Sequence, residues 1–221
     1  MLTKEVFQFL EALKENNTRE WFAANKPLYQ DAYKQVEAFV QQVIDGIVAF
    51  DKDIVPIAAS KCIFRIYRDV RFATDKSPYK TNFGASIAKG GRKMGTAGYY
   101  LHLEPGSSFV GGGIYMPDAA TLKSIRSEIY FNSPEFKKIL NKKEFKDVYG
   151  ELGDFDKLKK PPKDFPVDFT DIELLKYRSY ICSRGVTKKE ALSPDYADFV
   201  IKAFKTMKPF VDFLNRGIEN G

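Results

Sequence analysis

The sequence has little of what metal centres, disulfide frameworks and membrane spans require. Its 221 residues include two cysteines and one histidine, and no CxxC pair occurs. A structural zinc site needs about four Cys or His ligands, so we predict no metal site. No apolar run approaches the roughly 20 residues of a membrane span, and the first residues lack a signal-peptide core. We therefore expect a cytoplasmic protein with no membrane partner and with two reduced core thiols, Cys62 and Cys182.

Nucleotide-binding and nucleophile signatures are also missing. The sequence holds neither a GxGxxG run nor a GxxxxGK[ST] run. It has no nucleophile elbow beside its single histidine. The sequence therefore names no cofactor, and it does not decide whether the protein is an enzyme.

Helical periodicity dominates both ends of the chain, and a period of two dominates the middle. Apolar residues recur by threes and fours after Thr3 and again from about 27 to 50, which predicts two amphipathic helices. Asn17 and Glu20 have the spacing of a capping box, which predicts a short helix between the two amphipathic helices. Further helices are expected over 118–142 and towards the C-terminus.

Five segments have strand character. Residues 83–88, 97–104 and 108–116 follow one another with short connections, which favours an antiparallel meander. Residues 62–68 alternate apolar and polar side chains, and residues 177–182 are the fifth candidate. We predict one α+β domain over 1–221, with an antiparallel or mixed central sheet of about five strands flanked by N-terminal and C-terminal helices. Its parts are a helical region 1–50, a sheet core 60–116, helices 118–142, and a strand and helix over 177–217.

The positive charge of the protein is concentrated in one segment. Residues 60–94 hold nine Lys/Arg and two acids, whereas the other 186 residues hold 26 Lys/Arg and 27 acids. The segment includes a connection of about fourteen residues, 69–82, which is long for a hairpin. Arginine offers a planar fork of donors to phosphate or carboxylate, and lysine adds a mobile charge. Part of the segment, Lys89–Gly95, is expected to be a glycine-rich loop.

These features give a set of candidate ligand-binding residues. The set comprises Arg65, Arg68, Arg71, Lys76, Tyr79, Lys80, Asn82, Tyr100 and Gly112. Two alternatives stay open at this point. The cations pair with Asp69 and Asp75 in a solvated loop, or they bind an anion. The run Gly111–Gly113 permits close approach either by neighbouring chain or by a ligand.

His102 is the candidate proton carrier. On a strand its side chain shares a face with Tyr100 and Glu104, and a carboxylate can orient an imidazole for acid–base work. A hydrogen-bonded structural histidine explains the pattern equally well. His102 and Glu104 are therefore the catalytic candidates, if the protein is an enzyme.

Several of these motifs together resemble a known family. They are Asn17–Phe22, Phe64–Phe72, Lys76–Asn82, Gly98–Leu103 and Gly111–Tyr115. In combination they are similar to the bacterial and fungal family called domain of unknown function 2461. The resemblance covers nearly the whole chain and implies a full-length single domain. It implies no established activity and no catalytic residues.

Three functions fit the sequence. The first is binding of, or catalysis on, a small anionic ligand, phosphorylated or carboxylated, through the basic loop 68–82. The second is a nucleic-acid-binding module, because Phe72, Tyr79 and Phe83 are interleaved with cations. The third is a structural or protein-interaction domain. The oligomeric state is not predicted.

Overall fold

The structure is a computed structural model that describes residues 1–89 and 95–221. Over these residues the chain forms nine α-helices, one 3₁₀ helix and four strands. The elements are α1 (Lys4–Glu15), α2 (Arg19–Ala24), α3 (Lys26–Val48), α4 (Ala59–Cys62), β1 (Phe83–Ala88), β2 (Gly98–Leu103), β3 (Phe109–Ile114), α5 (Ala119–Phe131), α6 (Ser133–Leu140), α7 (Lys143–Tyr149), the 3₁₀ helix Ile172–Lys176, β4 (Tyr180–Gly185), α8 (Lys188–Ala191) and α9 (Tyr196–Glu219). The predicted Lys89–Gly95 loop falls largely on residues 90–94, outside the described residues.

The four strands form one antiparallel sheet in chain order, β1-β2-β3-β4. This confirms the α+β class, the predicted strand 83–88 and the meander. The prediction of about five strands is wrong, because residues 62–68 make no continuous strand in the described chain. They pair through two isolated antiparallel bridges, Ile63 with Ala85 and Tyr67 with Tyr79. Between the bridges, residues 64–66 stand opposite residues 80–84, and this unequal spacing interrupts the ladder.

The described chain divides into two compact units. One comprises residues 1–89, 100–110 and 185–202, and the other comprises 95–99, 111–184 and 203–221. Strands β2, β3 and β4 and helix α9 contribute residues to both. The prediction of a single domain stays a prediction.

In the first unit, α1 packs against α3. The apolar stripe of each helix is buried, as the periodicity predicts. The buried positions are Val6, Phe7, Phe9, Leu10 and Leu13 on α1, and Ala32, Val36, Phe39, Val40, Val43, Ile44 and Ile47 on α3. Between them, the hydroxyl of Thr18, not Asn17, caps α2 by accepting from the Trp21 amide at 3.2 Å. The Asn17 side chain instead forms hydrogen bonds with the backbone of Tyr79.

The second unit has an aromatic core. The ring of Phe136 on α6 lies 4.9 Å from that of Phe213 and 6.0 Å from that of Phe210, both on α9. Gly112 on β3 lies against Met207, whose sulfur is 2.5 Å from the place a Cβ would occupy, and against the carbonyl of Gly98. The close approach expected of the glycine run is therefore made by the chain's own core.

Candidate functional site

The candidate site lies at an irregular hairpin formed by residues 63–68 and 78–85. The Phe64 amide donates to the Gly84 carbonyl at 2.8 Å, and the Arg68 amide donates to that of Pro78 at 2.9 Å. The two arms pair only at intervals. Their side chains therefore need not alternate between two faces as they do in a regular β-ladder, and neighbouring side chains can lie on the same side of the hairpin. Residues 69–77 form the loop that joins the arms.

Aromatic packing holds this hairpin on the N-terminal helices. The ring of Tyr79 stacks on that of Phe22 from α2, with centroids 4.0 Å apart, and lies 5.3 Å from that of Tyr67. Tyr79 and Phe22 are buried. The predicted ligand residue Tyr79 is thus chiefly an anchor, and burial raises the pKa of its phenol.

Asn17 makes a second attachment. Its amide nitrogen donates to the Tyr79 carbonyl at 3.0 Å, and its amide oxygen accepts from the Tyr79 amide at 3.1 Å. The side chain therefore pairs with the backbone of Tyr79 as a neighbouring strand would. This contact displaces the capping role that local spacing predicts for Asn17.

A cavity of about 410 Å³ opens where these parts meet. Four predicted residues line it, namely Arg68, Tyr79, Lys80 and Asn82. Five other residues also line it: Lys14, Asn17, Asp75, Ser77 and Thr81. Ser77 and Thr81 are the neutral donors that the loop sequence offers beside its cations, whereas sequence reasoning missed Lys14, Asn17 and Asp75 as site members. The lining carries three cations and one carboxylate, which gives a formal charge of +2. Lys14 comes from α1, and no local pattern in the sequence connects it with residues 68–82.

Asp75 organises the wall of the cavity formed by the loop. It accepts from the amide of Ser77 at 2.9 Å and from its hydroxyl at 2.6 Å, and it pairs with the Arg68 guanidinium. The Ser77 bonds, followed by that of Arg68, hold the pKa of the Asp75 carboxyl well below its ordinary value. Arg68 therefore lines the cavity while its guanidinium pairs with Asp75, whose side chain is exposed.

The remaining predicted cations do not line the cavity. Arg71 binds Asp69 through two guanidinium nitrogens, at 3.0 and 2.7 Å, and that contact lowers the pKa of the Asp69 carboxyl. The Lys76 ammonium donates to the Val70 carbonyl at 3.0 Å, and Arg65 is exposed. Gly112 also lies elsewhere, in the second unit. Both pairs of the self-paired interpretation are present, because Arg71 pairs with Asp69 and Arg68 pairs with Asp75.

Behind the cavity, the predicted face of β2 forms a chain of hydrogen bonds. The Tyr100 hydroxyl lies 3.1 Å from Nδ1 of His102, and Nε2 of His102 lies 3.1 Å from Glu104. The other carboxylate oxygen of Glu104 accepts from the hydroxyl of Thr81 at 3.1 Å. His102 and Glu104 are thus joined to the cavity wall through Thr81, a link that sequence reasoning did not provide.

A larger cavity of about 730 Å³ lies between α1 and α3. Its walls include the apolar Phe9 and Leu28 and three charged side chains, Glu5, Asp31 and Lys34. Two acids against one lysine do not suit an anion, so this groove is not the candidate site.

Neither a metal cluster nor a spanning helix is found in the described residues. Over 1–89 and 95–221 no group of three or more His, Cys, Asp or Glu has the geometry to hold a metal ion. Over the same residues no helix combines the length and apolar character needed to cross a membrane.

Comparison with known proteins identifies the family. Residues 5–213 match the family model described as "Conserved hypothetical protein (DUF2461)". The chain belongs to the DUF2461 family. That membership confirms the resemblance seen in the motifs, and the family description assigns no activity to DUF2461 proteins. No curated protein and no solved structure matches this DUF2461 chain.

Proposed function

We propose that this protein binds a small anionic ligand, phosphorylated or carboxylated, in the 410 Å³ cavity. The observation that carries the proposal is the convergence of Lys14, Arg68 and Lys80 on one concave site. Neutral donors stand beside the cations, since Ser77, Thr81 and Asn82 also line the cavity. Charged groups with a few placed hydroxyl and amide donors are what anion recognition requires.

The cations differ in how they serve a ligand. Arg68 already pairs with Asp75, so a bound anion shares its guanidinium with that carboxylate. The Lys80 ammonium lies 5.3 Å from the centre of the Phe64 ring, within cation–π distance. Lys80 lines the cavity and shares its hairpin with Arg71, which does not, so Lys80 is the position chosen for testing the site.

A thermal-shift panel at fixed ionic strength tests the proposal. The panel contains sulfate, inorganic phosphate, carboxylates, sugar phosphates and nucleotides. A ligand at a hundred times its Kd should add about 2.7 kcal/mol to the free energy of unfolding, which raises Tm measurably. We expect a selective hit that Lys80→Gln abolishes or weakens at least tenfold.

Arg71→Gln is the matched control. It also removes one positive charge from the same hairpin, but Arg71 lies outside the cavity. Equal losses in the two variants would mean generic attraction and contradict the proposal. A flat panel would also reject it and would favour a loop that faces a protein partner.

A second candidate function rests on Phe72. Its side chain is 97% exposed at the tip of the loop, and the Arg71 guanidinium carbon lies 6.0 Å from the ring centre. An exposed ring beside cations suits single-stranded nucleic acid, where bases stack and phosphates pair. Tyr79 and Phe83 are buried, so they cannot serve as the stacking platforms that the sequence suggested.

Fluorescence anisotropy with a labelled oligothymidylate tests this second function. Stacking is worth about 1–3 kcal/mol per base, so Phe72→Ala should weaken binding about tenfold or more. Phe131→Ala is the control, because Phe131 is 76% exposed on α5. Absence of binding, or equal weakening in both variants, rejects the nucleic-acid function.

We also propose a cytoplasmic location. Cys62 and Cys182 are buried and are not joined in a disulfide, and reduced cysteines suit a reducing compartment. Fractionation of expressing cells with an antibody to the chain checks this directly.

A further inference from the structure

The hydrogen-bonded chain on β2 has a defined direction. Burial, and to a smaller extent Glu104, raises the pKa of the Tyr100 phenol, which therefore keeps its proton at neutral pH. The Tyr100 hydroxyl can then donate to Nδ1 of His102, with Nε2–H of the imidazole donating to Glu104. A neutral His102 in this arrangement has one tautomer, with its proton on Nε2.

Glu104 is shared between His102 and the cavity. One carboxylate oxygen faces His102, and the other accepts the Thr81 hydroxyl. A threonine hydroxyl has a single proton to donate. If a ligand in the cavity accepts a hydrogen bond from the Thr81 hydroxyl, Glu104 loses that hydrogen bond.

The surroundings of His102 leave it part-buried. Its side chain is 13% exposed, that of Glu104 is 27% exposed, and the Phe109 ring of β3 stacks on the imidazole at 4.7 Å. The titratable groups hydrogen-bonded to His102 are Tyr100 and Glu104. Beyond Thr81, the charges around the cavity are Lys14, Arg68, Lys80 and Asp75.

We propose that the cavity binds a dianion together with one proton, which His102 takes up from solvent. The inference rests on the proposed function, and it names the ligand class as a dianion such as a phosphate monoester. The dianion places negative charge next to Glu104 and draws the Thr81 hydroxyl away from it. A proton added at Nδ1 of His102 offsets both effects, because a charged imidazolium then donates to Glu104. Tyr100 turns from donor to acceptor in the same step.

The test uses sulfate, a dianion that does not itself titrate near neutral pH. His102 is the only histidine of the chain, so its imidazole NMR signals need no assignment. We expect saturating sulfate, at constant ionic strength, to raise the proton affinity of His102 about tenfold, which moves its titration midpoint by about one pH unit. Without sulfate, the neutral ring should show the tautomer with its proton on Nε2.

Variants at Thr81 separate this coupling from simple charge attraction. In Thr81→Val, Glu104 lacks the Thr81 hydrogen bond before sulfate is added and keeps the contact with His102. We therefore expect a midpoint that is already raised, and less than half of the sulfate-induced shift. Thr81→Ser keeps the hydroxyl and should restore the full shift, which also shows that the position tolerates substitution.

The possible outcomes distinguish the two proposals. If sulfate shifts the amide signals of the cavity but leaves the His102 titration unchanged, the proton coupling is wrong and the anion site stands. If Thr81→Val retains the full shift, the route through Thr81 is wrong. If neither sulfate nor inorganic phosphate perturbs the cavity amides, the proposed function fails, and the inference fails with it.

Discussion

Gly84, a residue of the hairpin, leaves room for the hydrogen-bonded side chains of Tyr100 and His102 on β2 and of Glu104 just after it. A Cβ at this position would lie 2.5 Å from the hydroxyl of Tyr100. The Tyr100 ring is held in place by Phe64 and Phe109, with centroid distances of 6.3 and 5.6 Å. Gly84 therefore leaves the space in which Tyr100 reaches His102.

We predict that Gly84→Ala destabilises the protein by about 1–3 kcal/mol, because the added methyl must displace a packed ring. It should also abolish the preference of His102 for a single tautomer. Chemical denaturation and imidazole NMR measure the two effects. Gly185→Ala is the control, since no atom lies within 4 Å of its added Cβ, and we expect a change within about 0.5 kcal/mol. Equal losses would refute the packing argument.

Asp75 gives a pH-dependent prediction. Its pKa in the folded protein is lowered, so its contribution to stability is present above the ordinary value of about 3.9 and is lost as the pH falls below it. Asp75→Asn should therefore lower Tm at pH 7, and the difference from the wild type should shrink below about pH 4. Melting curves from pH 7 to about pH 3 check this. A difference that stays constant with pH would exclude the carboxylate as its cause.

At the residue scale, the sequence predicted neighbours on one strand better than partners on different elements. A period of two placed Tyr100, His102 and Glu104 on one face, and their hydrogen bonds confirm it. The bond from Thr81 to Glu104 depends on where the hairpin lies relative to β2. That relation is set by tertiary packing, which no local pattern encodes.

At the scale of elements, the link between α1, α2 and the hairpin through Asn17 is the feature that shapes the cavity. Its two hydrogen bonds to Tyr79 are part-buried. The sequence predicted that Asn17 caps a helix, because Asn17 and Glu20 have the spacing of a capping box. Thr18 performs the capping and leaves Asn17 available for the tertiary contact.

We predict that Asn17→Ala costs about 1–3 kcal/mol, since it leaves the Tyr79 amide and carbonyl without these partners. Hydrogen exchange at the Tyr79 amide should accelerate along with the loss of stability measured in denaturant. Asn16→Ala is the neighbouring control, because the Asn16 side chain bonds an exposed carbonyl, that of Ala12. We expect its effect to stay below about 0.5 kcal/mol. The reverse order of the two variants would contradict the role of Asn17.

The elements themselves were predicted unevenly, for physical reasons. The strand 83–88 has the predicted bounds, because its apolar run ends at strong turn signals on both sides. Residues 62–68 alternate apolar and polar side chains equally well. Alternation in one arm, however, does not show that the opposite arm has more residues between the two β-bridges. The sequence therefore predicted an element where the structure has two separate pairings.

At the scale of the whole molecule, each compact unit contains one cysteine. Cys62 belongs to the first unit and Cys182 to the second, and both are at most 2% exposed. Burial also raises the pKa of the Cys182 thiol, which disfavours the reactive thiolate. The two thiols therefore report on the opening of each unit without any substitution.

We predict that both thiols react with a thiol reagent on the order of 10³-fold or more slowly in the native protein than in denaturant. If the chain is the single domain expected from its sequence, the two rates should coincide under conditions that favour global unfolding. Mass spectrometry of the labelled peptides measures each rate separately. A large excess of labelling at one cysteine would mean that its unit opens independently, and the single-domain prediction would be wrong.

The attachment of Asn17 to Tyr79 also has a kinetic consequence. The two residues are 62 positions apart, so the contact closes a long loop and is entropically costly to form early. We predict that a cavity that depends on this closure assembles late in folding and is lost early in unfolding. A bound anion should then slow unfolding and leave the refolding rate nearly unchanged, because it stabilises contacts that are absent from the transition state.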